Sequence, residues 1–564
     1  MRASLLFAAL AIAAAPVWAA ANSPASPGAR AASAAANAQP TRADAEKDPV
    51  LRAMLDELDR SMSQLHLEGF EKPFFIEYRI DDVEGFRARG EFGASLGSAR
   101  FRRRAARVTV HVGDYKTDSS GRGDSTSELE VLDNDPIALR SALWMATDNA
   151  YKGALAAYAQ KQAALKQVQT PPQADDLSHE PPVIVLEEPK TLKVEADAWE
   201  RMVAIASGLF LTDPSLKAAE AGVEYSNAGF GVMATTSYLV NSEGTITRTS
   251  QLRYDQTFSV GGQAADGMGL DRSYQIAGDS LADMDTPEAF NRHAEECVKG
   301  LAELRAAPLV EEEYHGPVLM EADAAAGTLK ELLARSFAAE RPNLGTEART
   351  AGPFGSSYHA RVLPDFMQVV DDPLLNAMNG KGLVGAYTVD QEGVPAESVQ
   401  LVDDGKLDNY LIGREPVKDF PHSNGHGRAG MFGPAQPAIG VLKISAKAGL
   451  SDADLNAKLL EMAKDRGLAN VYVVAAMAGT MNPRLLYKVT PDGKRTLVRG
   501  ARLEDLDLRA LRSGIVAAGK DLFANNQIGG VPETVLAPAL LFDDITVRRA
   551  NEKNEKLPFY PPPE

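Results

Sequence analysis

Glu321 is the residue of this chain best placed to move a proton. It stands where an apolar strand, 317–320, runs into a helix whose Leu329, Leu332, Leu333 and Phe337 recur at i, i+3, i+4 and i+8, the spacing of one core-facing helical stripe. A carboxylate there can accept a proton, but the reading in which it caps the helix through its first amides outweighs that role. His422 and His426, within PHSNGHGRAG at 421–430, are the remaining imidazole pair. Their i, i+4 spacing suits zinc only on a helix, and Pro421, Asn424, Gly425 and Gly427 forbid a regular one. A loop role, over a substrate cleft or plain, is the better reading. Arg428 beside them could pair with a peptide carboxylate through two parallel hydrogen bonds, or be an ordinary surface arginine. Asp390 and Glu392 sit two apart and would share one face of a strand. Because Asp390-Gln391-Glu392-Gly393 ends in glycine, the turn-forming reading outweighs a paired-carboxylate site.

Nothing else in the sequence assembles a site. His111, His293, His315 and His359 are scattered, with no ligand spacing between them. There is no G-x-S-x-G elbow, and GGQAADGMG at 261–269 lacks the lysine and strand–helix setting of a phosphate loop. Cys297 is the only cysteine, so no internal disulfide can form. It lies in a helix over 288–306 beside Phe290, Ala294, Val298 and Leu301, which marks a packing thiol rather than a nucleophile.

The elements that must hold these residues change character near residue 311. Residues 48–310 read as a helix-and-sheet domain. It has a first helix over 51–67, strands over 73–80, 91–96 and 104–115, a long alanine-rich helix over 137–169 and a proline-rich loop over 170–182. A helix at 196–209 and a strand-rich stretch over 222–276 follow, with a hairpin turn at Asn241-Ser242-Glu243-Gly244. Residues 311–548 read as a mainly antiparallel β domain carrying the cleft. Turns at 390–393 and 403–406 there suggest a three-strand meander over 382–414. Ser451 caps a helix over 451–464 with Asp454 three residues on, 470–476 is a buried strand, and 486–489 pairs with 495–498. Residues 549–564 are left as a C-terminal tail. The expected class is α+β in two domains.

The 564 residues, 45% hydrophobic and 24% charged, suit a globular chain of two or more domains. A formal charge of −18 argues against a nucleic-acid partner, which needs a basic surface. The one dense basic run, RFRRRAAR at 100–107, continues into alternating VTVHV and reads as a solvated strand face. Residues 1–19 have an arginine, an apolar stretch and Val17-Trp18-Ala19 at the end, the pattern of a secretory signal. Residues 20–47, rich in Ala, Ser and Pro, read as a disordered tether. No later segment reaches the roughly 20 apolar residues that span a bilayer. The expectation is a periplasmic or secreted protein without a transmembrane segment.

The segments 314–337 and 382–414, with LVNSEG at 239–244 and the stretch 529–547, resemble the TldD/PmbA family of metallopeptidase-type proteins. The likeness is good over about 220–548 and thin over 50–200. The zinc-bearing branch of that family carries HExxxH at the strand–helix junction. Here the first histidine falls on Met320, the glutamate is Glu321 and the second histidine falls on Ala325. The family's zinc-binding cysteine near the C-terminus falls in Ala524-Asn525-Asn526. The resemblance therefore implies a chain that has lost its zinc and holds no cofactor, with Glu321 vestigial. PHSNGHG is similar to the family's Ser-Thr-Gly-Asn loop, which implies substrate-binding places for His422, Asn424, His426 and Arg428. It further implies peptide processing as a non-catalytic subunit, in a homo-oligomer or with a HExxxH-bearing paralogue. Two alternatives stand beside it: an active peptidase rebuilt around Glu321, His422, His426 and His359, and an exported peptide-binding scaffold without catalysis. The uncharged strand GPVLM at 316–320 would be an aggregation-prone edge unless its own domain or a partner covers it.

Overall fold

Four long strands alternate in character, and that alternation builds the first layer of the computed structural model. It describes residues 39–120, 126–130, 134–216, 222–550 and 554–558. The expected signal at 1–19, and the tether up to 38, lie outside them. Helix α1 (Pro49–Gln64) starts under Asp48, whose carboxylate accepts from the amides of Val50 and Leu51. Strands β1 (Pro73–Glu91) and β2 (Ala94–Val112) form one antiparallel hairpin that turns through Phe92 and Gly93, both at positive φ. Helix α2 (Pro136–Leu165) and helix α3 (Ala196–Ser207) follow. Then comes a second hairpin, β3 (Tyr225–Asn241) with β4 (Ile246–Gln263), closed at Asn241–Gly244 as expected. β3 pairs antiparallel with β1, giving the sheet order β2-β1-β3-β4 with short strands added at both edges.

One face of this sheet is apolar. Ile76, Tyr78, Ile80, Val108, Val110 and Val240 pack against α1 and α2. Farther along, Phe86, Phe230, Val232 and Phe258 pack against α3 and α4 (Pro287–Ala306), where Cys297 is buried as a packing thiol. The other face carries polar side chains, and the second half of the chain covers it.

That half holds a mixed sheet of eleven strands. Its elements are β5 (Tyr314–Met320), α5 (Ala322–Leu333), β6 (Val441–Ala446), α6 (Asp452–Asp465), β7 (Val471–Met477), β8 (Ile515–Gln527) and β9 (Glu533–Arg549). β9 is central: it pairs antiparallel with β5 and β8 and parallel with β6. β5 also pairs parallel with β7, so parallel ladders sit inside the expected antiparallel sheet. Leu329 and Leu333 of α5 and Leu455 and Leu459 of α6 close the core, each contributing about 1.5–3 kcal/mol by burial.

Three expectations need correction. β1 and β2 run far beyond the expected segments, because pairing on both sides supplies what their glycines and charges lack in propensity. The 382–414 meander is mostly irregular, with only Lys381–Gly382, Val399–Asp403 and Lys406–Leu407 as strands. The tether ends early: Arg42–Ala45 is a helical turn, and Ala45 is buried against the first core. GPVLM is covered by its own domain, one of the two outcomes expected, since β9 and β7 flank it. From Arg42 onward the chain is one compact unit. Among the described residues no helix is long and apolar enough to cross a membrane.

Candidate functional site

At the strand–helix junction, Glu321 is the N-cap residue of α5, extended at φ −64°, ψ 160°, and its carboxylate makes no capping bond. The expected cap is replaced by an ion pair with Arg495, Nη1–Oε1 2.8 Å, in which both side chains are more than a third exposed. Arg495 reaches across from strand Arg495–Val498 and holds Asn456 with its other nitrogen. Met320 and Ala325, the flanking positions, are buried at 1% and 0% exposure within the apolar core. Asn526, from the segment where the resemblance places a cysteine, is consumed by the backbone. Its amide donates to the carbonyls of Ala277 and Gly382, and its Oδ1 accepts from Thr534 and the Val384 amide.

The 422–428 loop scatters its candidates. His422 is exposed, 3.9 Å from Glu180. His426 is fully buried: Nδ1 faces the carbonyl and Oδ1 of Asn424 at 2.9 and 3.0 Å, and Nε2 lies 3.3 Å from Asp371. Oxygen acceptors thus face both ring nitrogens. Asn424 ties the loop down, with Oδ1 accepting from the Ile412 amide and Nδ2 donating to Tyr410. Arg428 is 4% exposed, not a surface residue, and its guanidinium is committed to Gln391, Ile439 and Pro532 while stacked 4.0 Å over Tyr387. Glu321, His422 and His426 thus have separate neighbours, and His359 pairs with Asp408 in another loop. Among the described residues no group of three or more His, Cys, Asp and Glu side chains is arranged to hold a metal.

The Asp390–Gly393 turn is present. Asp390 builds it by accepting from the amides of Glu392 and Val394, and its second oxygen takes the Gly427 amide at 2.8 Å. Glu392 accepts from the Arg414 amide at 2.7 Å. Burial pushes both carboxyls above the ordinary range, and the negative charges of Asp390 and Glu77 push Glu392 further. Arg414, 2% exposed, pairs with Glu243 across the two halves and lies 4.7 Å over Phe75.

The cavity lies elsewhere, on the polar face of the first sheet. Arg79, Asp81 and Val83 of β1, Thr235 and Ser237 of β3, and Gln251 and Arg253 of β4 form its floor. Register explains the set: Asp81 faces Ser237 and Ser237 faces Thr249, so residues two apart on adjacent strands share one side. Loop residues Leu383–Val389, Ala429–Met431 and Gly529–Pro532 roof it, enclosing about 510 Å³. The HSNGHG loop reaches this cleft only through the residues after Arg428. Arg79 and Arg253 escape notice in the sequence because period-2 alternation marks a polar face without telling that it is covered.

The second half thus has a central strand antiparallel to its hairpin mate with a helix packed behind it, and its loops roof a cleft floored by the first sheet. Residues 312–549 match the family model described as the PmbA/TldA metallopeptidase C-terminal domain. Over that domain the chain is similar to the PmbA/TldD family, and solved structures share the fold of most of the chain. TldE from Thermococcus kodakarensis shares the fold at a TM-score of 0.58 and 12% identity, covering 88% of this chain and 99% of that one. Two further structures carry the description "putative modulator" of DNA gyrase. The Thermotoga maritima protein has a TM-score of 0.60 at 15% identity over 88% and 100% of the two chains. The Bacteroides thetaiotaomicron protein has 0.55 at 12% over 90% and 99%. No curated protein matches the sequence.

Proposed function

We propose that this chain is an exported, zinc-free, non-catalytic subunit of the family that holds peptide in its cleft and works in an oligomer with a zinc-bearing paralogue. The observation that carries this reading is the donor set at the strand–helix junction. Met320 offers a thioether and Ala325 a methyl, both turned into the core, and neither replaces an imidazole on zinc. Glu321 is held by Arg495, and Asn526 spends its carboxamide on the backbone. These residues do not fit a zinc ion, so no hydrolytic step is assigned to them. The cleft, by contrast, is lined by polar side chains and loop backbone, suited to an extended peptide.

Metal analysis of the protein purified from its host, with a test for co-purifying chains, checks this reading. The expected outcome is substoichiometric zinc, no peptide hydrolysis alone and a HExxxH-bearing partner. Stoichiometric zinc, lost with activity in a His422→Ala/His426→Ala double variant, would overturn it.

A further inference from the structure

Arg79 and Arg253 carry buried donors that the fold leaves unused. Arg79 is 4% exposed, and its Nε and Nη1 find no hydrogen-bond acceptor; Nε of Arg253 finds none either. Both side chains line the same cavity. Buried donors are ordinarily satisfied, and an unmet one in a native structure points to a missing partner. The carboxylates nearby are already engaged. Asp81 takes Nη2 of Arg79 and the Ser237 hydroxyl, and Glu187 takes the Ser250 amide and the Thr388 hydroxyl. Arg253 donates only to Gln251.

We infer that this wall of the cavity is an anchor for the carboxylate of a peptide, bound by Arg253 with Arg79 behind it. The inference rests on the reading of the cleft as a peptide site and names what the cleft holds. A carboxylate is the natural acceptor for guanidinium nitrogens, and both of these groups line the cavity. Asp81, Glu187 and Asp279 share the cavity, so a monoanion suits it better than a phosphate dianion. The electrostatics agree: burial first, and then the positive charge of Arg428, push the proton affinity of Arg253 down to about 9, with Asp81 the acidic side chain acting against them. The guanidinium stays charged at neutral pH and lacks a full counter-charge.

The carboxylate can come from the peptide's C-terminus or from an acidic side chain, and calorimetry with three probes separates them. Acetyl-tetra-alanine is titrated as the free acid, as the C-terminal amide, and as the amide with one internal aspartate. The expected result is about tenfold tighter binding of the free acid than of either amide, collapsing to parity in Arg253→Gln. A matching thermal melt shows that the variant is folded, and an Arg79→Gln variant gives an independent second reading. Equal binding of acid and plain amide overturns the anchor while leaving the peptide cleft standing. Preference for the internal aspartate overturns the C-terminal assignment and leaves a side-chain pocket. Failure of all three probes to bind removes the anchor and the cleft reading together.

Discussion

Glu321 and Arg414 are both ion-paired, and burial separates their consequences. The Glu321–Arg495 pair is more than a third exposed on each side, and such pairs contribute about 0–1 kcal/mol. Glu321→Gln should therefore shift stability by less than about 1 kcal/mol in denaturant titration. Arg414 and Glu243 are 2% and 7% exposed, so Arg414→Ala strands a buried carboxylate and should cost about 3–5 kcal/mol by the same measurement. Glu392 gives a pH signature. Its carboxyl is raised, so the native state keeps a proton that the unfolded chain releases. The stabilisation is complete below the ordinary carboxylate range and is lost as pH rises. Glu392→Gln, which stays neutral, should flatten the fall in melting temperature between pH 5 and 8. An unchanged slope would show that this carboxyl does not titrate there.

Single elements show how much local sequence dictates. α6 begins under Ser451 as the capping pattern requires, and α5 buries the leucine stripe its spacing describes. Leu329→Ala should cost about 2–5 kcal/mol through the cavity it leaves, read as a lowered denaturation midpoint. The loop at 422–428 follows a backbone rule instead. Gly425 sits at φ +71°, and a Cβ there would lie 2.1 Å from the carbonyl of Pro395. Gly425→Ala should lose about 2 kcal/mol or more, visible in a thermal melt. The turns of the expected meander are present, but most of the residues between them are not strands. Residues 383–398 satisfy their backbone through long-range partners such as Thr534 and Asn526, which no local pattern announces.

For the whole molecule, the two sheets are stitched through specific groups. Asn526 bonds both Ala277 and Gly382, Asp283 accepts from the Gly382 amide, and Arg79 reaches Gly430. Urea unfolding followed by tryptophan fluorescence, with Trp144 and Trp199 both in the first half, and by far-ultraviolet dichroism should give one coincident transition. Asn526→Ala should lower stability by about 1–3 kcal/mol, since it leaves two carbonyls without their donor. Separate transitions for the two probes would show that the stitching is energetically slight.

The sequence by itself determined the hairpin turn at 241–244, the capped and striped helices, the buried thiol and a family likeness over about 220–548. These rest on period, capping chemistry and short motifs, all local to the chain. Only the tertiary structure decided what the polar strand face does. Arg79, Asp81 and Arg253 stand on a strand face that is locally just polar, yet all three line a covered cavity. Exposure depends on what comes to lie above a surface, here loops 150 to 450 residues away in the chain. The same holds for His422 and His426: four residues apart in sequence, they end at the surface and in the core, because glycines and a buried carboxylate, not helical spacing, set their directions.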